Sequence, residues 1–281
     1  MRTSRMVRAV GAAATVMTIA AGCAGGAAPE RTEASAVPAA AVPSAFVPSA
    51  PPPEEAARQA ALAALPEDLR KRVPTFGPPP APTKVTLPTN GTAGWFSNIP
   101  TEQKIAFITI DDGWSKDPMA LTLFQAADVP VTLFLEIDAI KSDPDYFTSL
   151  RDQGGATLQN HTISHPDLQG MSYDAQKTEI CGGSDKLEEL YGERPTLFRP
   201  PFGSHDANTL KAVHDCGMKA AFFWRETTDK GKIFYQAEHK VQPGDIILMH
   251  FRPQFTDDFL AVLNAIHEAG LTPARLEDYI P

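Results

Sequence analysis

The chain has 281 residues, a formal net charge of −9 at pH 7 and 43% hydrophobic residues. This length corresponds to one or two domains, and the hydrophobic fraction is sufficient for a buried core. The acidic balance includes no basic stripe that could neutralise a phosphate backbone, so the composition argues against a nucleic-acid partner.

The amino terminus predicts export. Arg2, Arg5 and Arg8 precede an apolar stretch, residues 10–21, that is too short to span a bilayer as a stable helix. Small residues then precede Cys23, and this arrangement resembles a bacterial lipoprotein signal. The sequence therefore predicts a signal peptide over residues 1–23 and a lipid anchor at Cys23 on the outer face of the bacterial cell membrane. The alternative is an ordinary cleaved signal and a secreted product.

Residues 24–92 are rich in alanine and proline. Such a stretch buries too little surface to offset its ordering entropy, which predicts a disordered tether. Residues 54–72 have an alanine-rich helical pattern that is broken near Pro66, so a short helix can form within the tether. The folded domain is then predicted to span residues 93–281.

Short apolar runs alternate with helical patterns in this domain. The pattern predicts strands at residues 104–110, 130–137, 156–161, 196–199, 219–224 and 245–250. It predicts helices between or after them, at residues 117–127, 145–153, 174–191, 208–216 and 257–269. This alternation is typical of βαβ units and a parallel sheet, and thus of an α/β fold.

Two cysteines remain if Cys23 is lipidated, namely Cys181 and Cys216. An even pair in an oxidising compartment predicts one disulfide. The alternative is a pair of reduced, buried small hydrophobic residues. Their separation is far greater than the ligand spacing of a small zinc site, so joint metal ligation is not expected.

Reactive side chains follow four of the predicted strands, at the point where each strand ends. In a barrel of parallel strands, all carboxyl ends open onto one face, and that face builds the active site. Each cluster alone is commonly a turn or a surface feature, so their combination carries the prediction. The residues are Asp111 and Asp112, His161 and His165, Arg199 with Pro201 and Phe202, and His250.

One carboxylate and two imidazoles form a ligand set with open positions, which suits a hydrolytic divalent ion such as Zn²⁺. Asp112, His161 and His165 provide such a set. This leaves Asp111 free to accept a proton from the attacking water. A turn after the strand is needed, because adjacent side chains of an extended segment point in opposite directions.

Two further residues complete this chemistry. Arg199 can orient Asp111 through a charge-assisted pair, and His250 can protonate the leaving amine or alkoxide. A backbone N–H after the Pro-Pro turn, together with the metal ion, would stabilise the oxyanion.

The motifs TIDDG, HTISH, RPPFG and LMH, in this order, resemble the polysaccharide deacetylase family, the carbohydrate esterases with a NodB homology domain. The resemblance covers residue 104 to the C-terminus and implies a distorted (β/α) barrel, usually of seven strands. It implies metal-dependent removal of acetyl groups, N-acetyl favoured, from an extracellular or cell-wall polysaccharide such as peptidoglycan or a chitin-like polymer. Zinc is the favoured ion, with cobalt or nickel as alternatives.

The resemblance also implies residue roles. Asp111 is the base, Arg199 orients it and His250 is the acid, while Asp112, His161 and His165 hold the metal. The backbone N–H of Phe202, where the family usually has tyrosine, contributes to the oxyanion site next to Pro201. Apart from the resemblance, Trp224 is a candidate for stacking on a sugar ring, with a position in the core as the alternative. Nothing in the sequence demands more than a monomer.

One departure from the family pattern concerns the stretch ending in Asp-Trp that usually follows the fifth strand. Residues 224–231 contain no such pair, and either Glu226 or Asp229 could replace the missing carboxylate. The departure keeps open a catalytically impaired barrel that binds glycan as a wall-recognition module. A third hypothesis is a metal-dependent hydrolase of a small amide.

Overall fold

The computed structural model describes residues 52–237 and 239–281. The predicted signal peptide, Cys23 and residues 24–51 of the predicted tether lie outside the described residues. Within the described part of the chain, no helix has the length and apolar character needed to cross a membrane.

A curled, mostly parallel sheet organises the domain. Its strand order is β1-β6-β5-β4-β3-β2-β9-β7-β8, with β10 paired to β2 off this path. Every neighbouring pair is parallel except β7 with β8. The strands are β1 (Gly94–Phe96), β2 (Ile105–Asp112), β3 (Thr132–Leu135), β4 (Thr157–Asn160), β5 (Leu197–Phe198), β6 (Ala220–Phe222), β7 (Glu226–Asp229), β8 (Lys232–Tyr235), β9 (Ile246–His250) and β10 (Thr272–Pro273).

This architecture confirms the predicted α/β barrel class, and all six predicted strands are present. The sheet has more strands than the seven expected. β1 is only three residues long, and β7 and β8 form a hairpin whose two turn residues, Lys230 and Gly231, have φ angles of 52° and 72°. A two-residue turn with both φ angles positive matches the twist of paired strands, and glycine favours it.

All five helices predicted for the domain are present, with ends shifted by a few residues. Three of the five begin at a capping residue, since the side chains of Asp143, Ser172 and Asp206 each accept a hydrogen bond from a backbone N–H of the first turn. The helices are α1 (Pro53–Ala64), α2 (Glu67–Arg70), α3 (Ala120–Ala127), α4 (Ile137–Ile140), α5 (Pro144–Asp152), α6 (Tyr173–Tyr191), α7 (Ala207–Asp215) and α8 (Phe255–Glu268).

The structure places parts of residues 53–92 against the domain that the sequence predicts to begin at residue 93. Helix α1 lies on α3, and its flank buries Ala61 and Leu65 in the main core. Further along, the Val85 backbone N–H donates to the Tyr279 carbonyl at 2.9 Å. Composition alone could not reveal this packing, since the apolar partner of the helix lies elsewhere in the chain.

The core surrounds β2, in which seven consecutive residues are buried. A strand covered on both faces is expected to be a nearly continuous apolar run, and β2 is apolar before the two aspartates except at Thr109. Outside the sheet, Cys181 of α6 and Cys216, just after α7, form a disulfide with their Cα atoms 5.1 Å apart. The disulfide ties two helices that flank the histidine loop described below.

Candidate active site

Adjacent carboxylates face one cavity at the end of β2. Asp111 continues the strand, whereas Asp112 has a φ angle of 74°, in the left-handed region. This turn removes the alternation of an extended strand and directs both side chains to the same side. Asp111 is 2% exposed, and the next residue, Gly113, with φ of 120°, continues the reversal.

Arg199 holds Asp111 in a buried ion pair. Its Nη1 donates to Asp111 Oδ1 at 2.7 Å and to Thr109 Oγ1 at 2.8 Å. Its Nη2 donates to the Phe223 carbonyl at 3.2 Å, and the guanidinium lies over the ring of Phe134 at 4.4 Å. Burial lowers the pKa of Arg199, and the charge of Asp111 opposes that effect. The pair fixes the orientation of the Asp111 carboxylate.

Asp112, His161 and His165 offer one ligand atom each, all within 4.8 Å of one another. Asp112 Oδ1 lies 3.5 Å from Nε2 of each histidine. This oxygen is buried without a hydrogen-bond partner, which is the condition expected of an atom that accepts a metal ion. Burial raises the pKa of Asp112, but the nearby imidazole of His161, together with those of His250 and His165, outweighs this effect and lowers the pKa to about 2.

The orientation of His161 also fits metal binding. Its Nδ1 lies 2.7 Å from the Arg199 carbonyl, which can only accept a hydrogen bond. Nδ1 therefore carries the proton, and the Nε2 lone pair is free to face the cavity. Fixing a ligand histidine by a hydrogen bond from its other ring nitrogen is the usual arrangement in metal sites.

The loop after β4 is held by residues that the sequence analysis did not single out. Asn160 Oδ1 accepts from the Thr162 N–H at 2.7 Å, and its Nδ2 donates to the carbonyl of Ile180. Glu179 accepts from the N–H groups of residues 163 and 164. An asparagine directly before the first histidine is the signal that could have identified part of this network.

Backbone strain is concentrated at the site. Among residues 52–237 and 239–281, six non-glycine residues have positive φ angles, and four of them belong to the site. Such conformations cost on the order of 1–3 kcal/mol each and persist where the surrounding structure imposes them. The four residues are Asp112, Thr162, His165 and Phe202.

The turn after β5 places an aromatic ring beside the histidines. Pro201–Gly203 is a 3₁₀ turn in which Pro201 is buried and Phe202 is 65% exposed. The Phe202 ring packs edge-on against His165, with centroids 4.7 Å apart. A side chain at Gly203 would lie 2.0 Å from the ring of Phe223, so only glycine fits there.

His250 faces Asp111 across the β2–β9 pair, where the two residues are direct partners. Its Nδ1 is buried and, among the described residues, has no hydrogen-bond partner. Burial lowers its pKa, and the charges of Asp111 and Asp112 oppose the shift. A cavity of about 530 Å³ joins these groups, with a lining that includes Asp111, Asp112, His161, His165, Phe202, Trp224, Asp229 and His250.

The structure distinguishes the two carboxylates that could replace the absent Asp-Trp pair. Asp229 lines the catalytic cavity, whereas Glu226 lines a separate cavity of about 250 Å³ with Asp245 and Arg225. Glu226 and Asp229 lie on opposite faces of β7, since they are three positions apart and side chains alternate along a strand. Of the two, Asp229 is therefore the carboxylate available to the catalytic site.

The Glu226 environment predicts a pH-dependent stability. Burial, and then the charge of Asp245, raises the pKa of Glu226 from 4.5 to about 9. Between these values the folded state keeps a proton that the unfolded chain releases, so stability falls as the pH rises. We expect Glu226→Gln to flatten this fall by up to about 1.4 kcal/mol per pH unit. Urea unfolding of the wild-type protein and of Glu226→Gln across this pH range measures how the free energy of unfolding depends on pH. The same pH dependence in both proteins would contradict a raised pKa of Glu226.

The fold and this site define a class: an α/β barrel with a histidine–carboxylate cluster and a second, arginine-held carboxylate at the carboxyl ends of its strands. A family model described as polysaccharide deacetylase matches residues 98–221. An uncharacterized protein of Streptomyces coelicolor is 38% identical over 190 residues, which cover 65% of this chain and 76% of that protein. The chain belongs to the polysaccharide deacetylase family.

Of two other similar proteins, one is a deacetylase and the other a pseudoenzyme. The peptidoglycan-N-acetylmuramic acid deacetylase of Bacillus subtilis is 26% identical over 162 residues, covering 53% of this chain and 61% of that protein. A CE4 family pseudoenzyme from Bacillus anthracis has the same fold, with a TM-score of 0.60 and 21% identity over 68% of this chain and 70% of that chain. The family fold thus occurs in both active and inactive proteins.

Proposed function

We propose that this protein is a metal-dependent deacetylase that releases acetyl groups, N-acetyl in preference, from an extracellular or cell-wall polysaccharide. The observation that carries the proposal is the position of Asp111. Its Oδ1 is held by Arg199, and its Oδ2 lies 3.7 Å from Nε2 of the ligand candidate His161. The Asp111 carboxylate therefore lies next to the candidate metal ligands without being one of them.

The metal would be held by Asp112, His161 and His165, and zinc is the ion we favour. These donors fit the ion because one carboxylate oxygen lacks any other partner and one histidine is already oriented by the Arg199 carbonyl. When bound, a divalent ion supplies Lewis-acid polarisation of the acetyl carbonyl and lowers the pKa of water at the site.

The remaining steps use side chains of this chain. Asp111 accepts the proton of the attacking water, and Arg199 keeps the carboxylate aimed at the cavity. His250 in its protonated form gives a proton to the departing amine nitrogen; burial disfavours this cation, and the charges of Asp111 and Asp112 favour it. The backbone N–H of Phe202 is available to the oxyanion, since the left-handed turn exposes this residue to the cavity.

A second candidate is a glycan-binding module with impaired turnover. It is favoured by the unpartnered Nδ1 of His250, because neither Glu226 nor Asp229 bonds it among the described residues. The intact ion pair and ligand cluster favour catalysis instead. An assay of turnover decides between the two.

The deciding experiment measures acetate release from oligomers of N-acetylglucosamine, from peptidoglycan and from acetylated xylan. We expect release from the amino-sugar substrates, its loss on treatment with a chelator, and its recovery on addition of zinc. Oligomer binding without acetate release, in protein shown to contain the metal, would overturn the proposal in favour of the glycan-binding module. Release from small amides alone would indicate the third hypothesis.

We also propose that the protein is a lipoprotein anchored at Cys23 to the outer face of the cell membrane. The basic residues, short apolar stretch and small residues before Cys23 support this location. Labelling of the expressed protein with radioactive palmitate tests it. Incorporation that survives Cys23→Ala would exclude Cys23 as the lipid site.

A further inference from the structure

Large exposed hydrophobic side chains are few in the described part of the chain, and three of the four are aromatic. The four are Trp114, Leu190, Phe202 and Phe234, with exposures of 61%, 41%, 65% and 50%. Phe202 lines the cavity itself. Trp114 comes two residues after Asp112, on the loop that follows β2. Exposed aromatic groups on elements next to one site indicate a binding surface.

Trp114 is fixed although it is exposed. Its Nε1 donates to Glu136 Oε2 at 3.0 Å, and Glu136 is buried. The next residue, Ser115, donates its N–H to the carbonyl of Phe251, and Lys116 Nζ donates to the carbonyl of Ala139 at 2.8 Å. An indole held in this way presents its ring to solvent without the entropy cost of ordering it on binding.

Phe234 reaches the same region from the β7–β8 hairpin. In this antiparallel pair Phe234 is the direct partner of Thr227. Directly opposed residues point to the same face of a sheet, and Thr227 lines the catalytic cavity. The neighbouring residues of β8, Ile233 and Tyr235, pack against the core instead. Phe234 therefore projects on the cavity side of the hairpin.

We propose that Trp114 and Phe234 are sugar-binding residues that hold the pyranose rings flanking the acetylated residue of the polymer. This inference rests on the proposed function and adds to it the binding of the sugar residues on either side of the acetylated one. Neither ring is part of the lining of the cavity that would take the acetyl group. They lie on separate elements beside that cavity, Trp114 on the loop after β2 and Phe234 on the hairpin.

A pyranose ring is the occupant that fits these residues. The C–H groups of one sugar face are apolar and carry a slight positive charge, which complements the negative face of an aromatic ring. The N–H of Trp114 is already bonded to Glu136, so the indole offers mainly its flat surface. The net charge of −9 disfavours an anionic polymer and suits a neutral amino-sugar chain, whose deacetylated product is cationic.

Affinity and turnover of N-acetylglucosamine oligomers test the inference. We expect Trp114→Ala and Phe234→Ala each to weaken binding of the hexamer about five-fold, with a clearly smaller effect on the disaccharide. Trp114→Phe should restore part of the lost affinity because it keeps a flat ring. Leu190→Ala is the matched control, since Leu190 is the exposed hydrophobic residue on the outer helix α6. Calorimetry gives the affinities, and acetate release gives KM and kcat for each length.

The dependence on oligomer length makes the inference falsifiable. Hexamer affinity that is unchanged in both alanine variants, or weakened equally for disaccharide and hexamer, would overturn it. A wild-type protein that binds the hexamer but releases no acetate would overturn the proposed function alone. In that case the calorimetric comparison still decides the role of the two rings.

Discussion

Replacing Asp111 by asparagine is expected to reduce acetate release by roughly 10²–10⁴-fold, the range that a general base contributes. The amide keeps the size of the carboxylate and an oxygen for the Arg199 hydrogen bond at the 2.7 Å position. It cannot accept a proton from water at neutral pH. Because Asp111 lies outside the ligand set, Asp111→Asn should retain its zinc. Acetate assays and elemental analysis of the same preparation measure both properties.

Two comparisons make this result specific. Asp112→Asn changes the neighbouring carboxylate in the same way but should lose zinc as well as turnover, since Asp112 is the ligand candidate. Asp128→Asn is the surface control, because Asp128 has a φ angle of 52°, which asparagine tolerates well. Asp111→Asn leaves the buried Arg199 without its counter-charge, so the unfolding transition must be recorded. A folded, zinc-containing Asp111→Asn protein with near-wild-type turnover would remove Asp111 from the role of base.

The site could be predicted from sequence because its residues follow strand ends. The rule that parallel strands open their carboxyl ends onto one face is enough to predict that Asp111, His161, Arg199 and His250 lie together. The need for a turn between the adjacent aspartates was also foreseeable. The structure supplies it through the left-handed conformation of Asp112.

Other features depend on partners that are distant in sequence. The prolines and alanines of residues 53–92 have the composition of a tether, yet Ala61 and Leu65 are buried because the apolar surface of α3 covers them. The β7–β8 hairpin is absent from the sequence prediction because its two strands are only four residues long each. Its turn residues, Lys230 and Gly231, flanked by short β-forming runs, are a local signal that could have revealed it.

The carboxylate that could replace the family aspartate is not identifiable from sequence, for a different reason. Glu226 and Asp229 are both acidic and three positions apart, so sequence could not separate them. Strand alternation separates them once β7 is known, because it sends Asp229 to the catalytic cavity and Glu226 to the cavity shared with Asp245. The chemical role of a residue here depends on the register of a strand.

His161→Ala is expected to abolish zinc retention together with turnover. The substitution removes a ligand candidate whose Nε2 lies 3.5 Å from Asp112 Oδ1, and loss of one of three protein ligands leaves too few donors for tight binding. It also removes the hydrogen bond to the Arg199 carbonyl, so stability should fall by about 1–3 kcal/mol even without metal. Elemental analysis after dialysis, and unfolding of the metal-free proteins, measure the two effects separately.

His214→Ala provides the matched control, since His214 is half exposed on α7 and belongs to no ligand cluster in the described part of the chain. It should retain zinc, turnover and stability. The comparison separates ligation from the general loss of a histidine, because of the two histidines only His161 is a ligand candidate and contacts the Arg199 carbonyl. If His161→Ala kept its zinc while losing turnover, the metal would have to be bound elsewhere, and Asp111 would lose its place beside it.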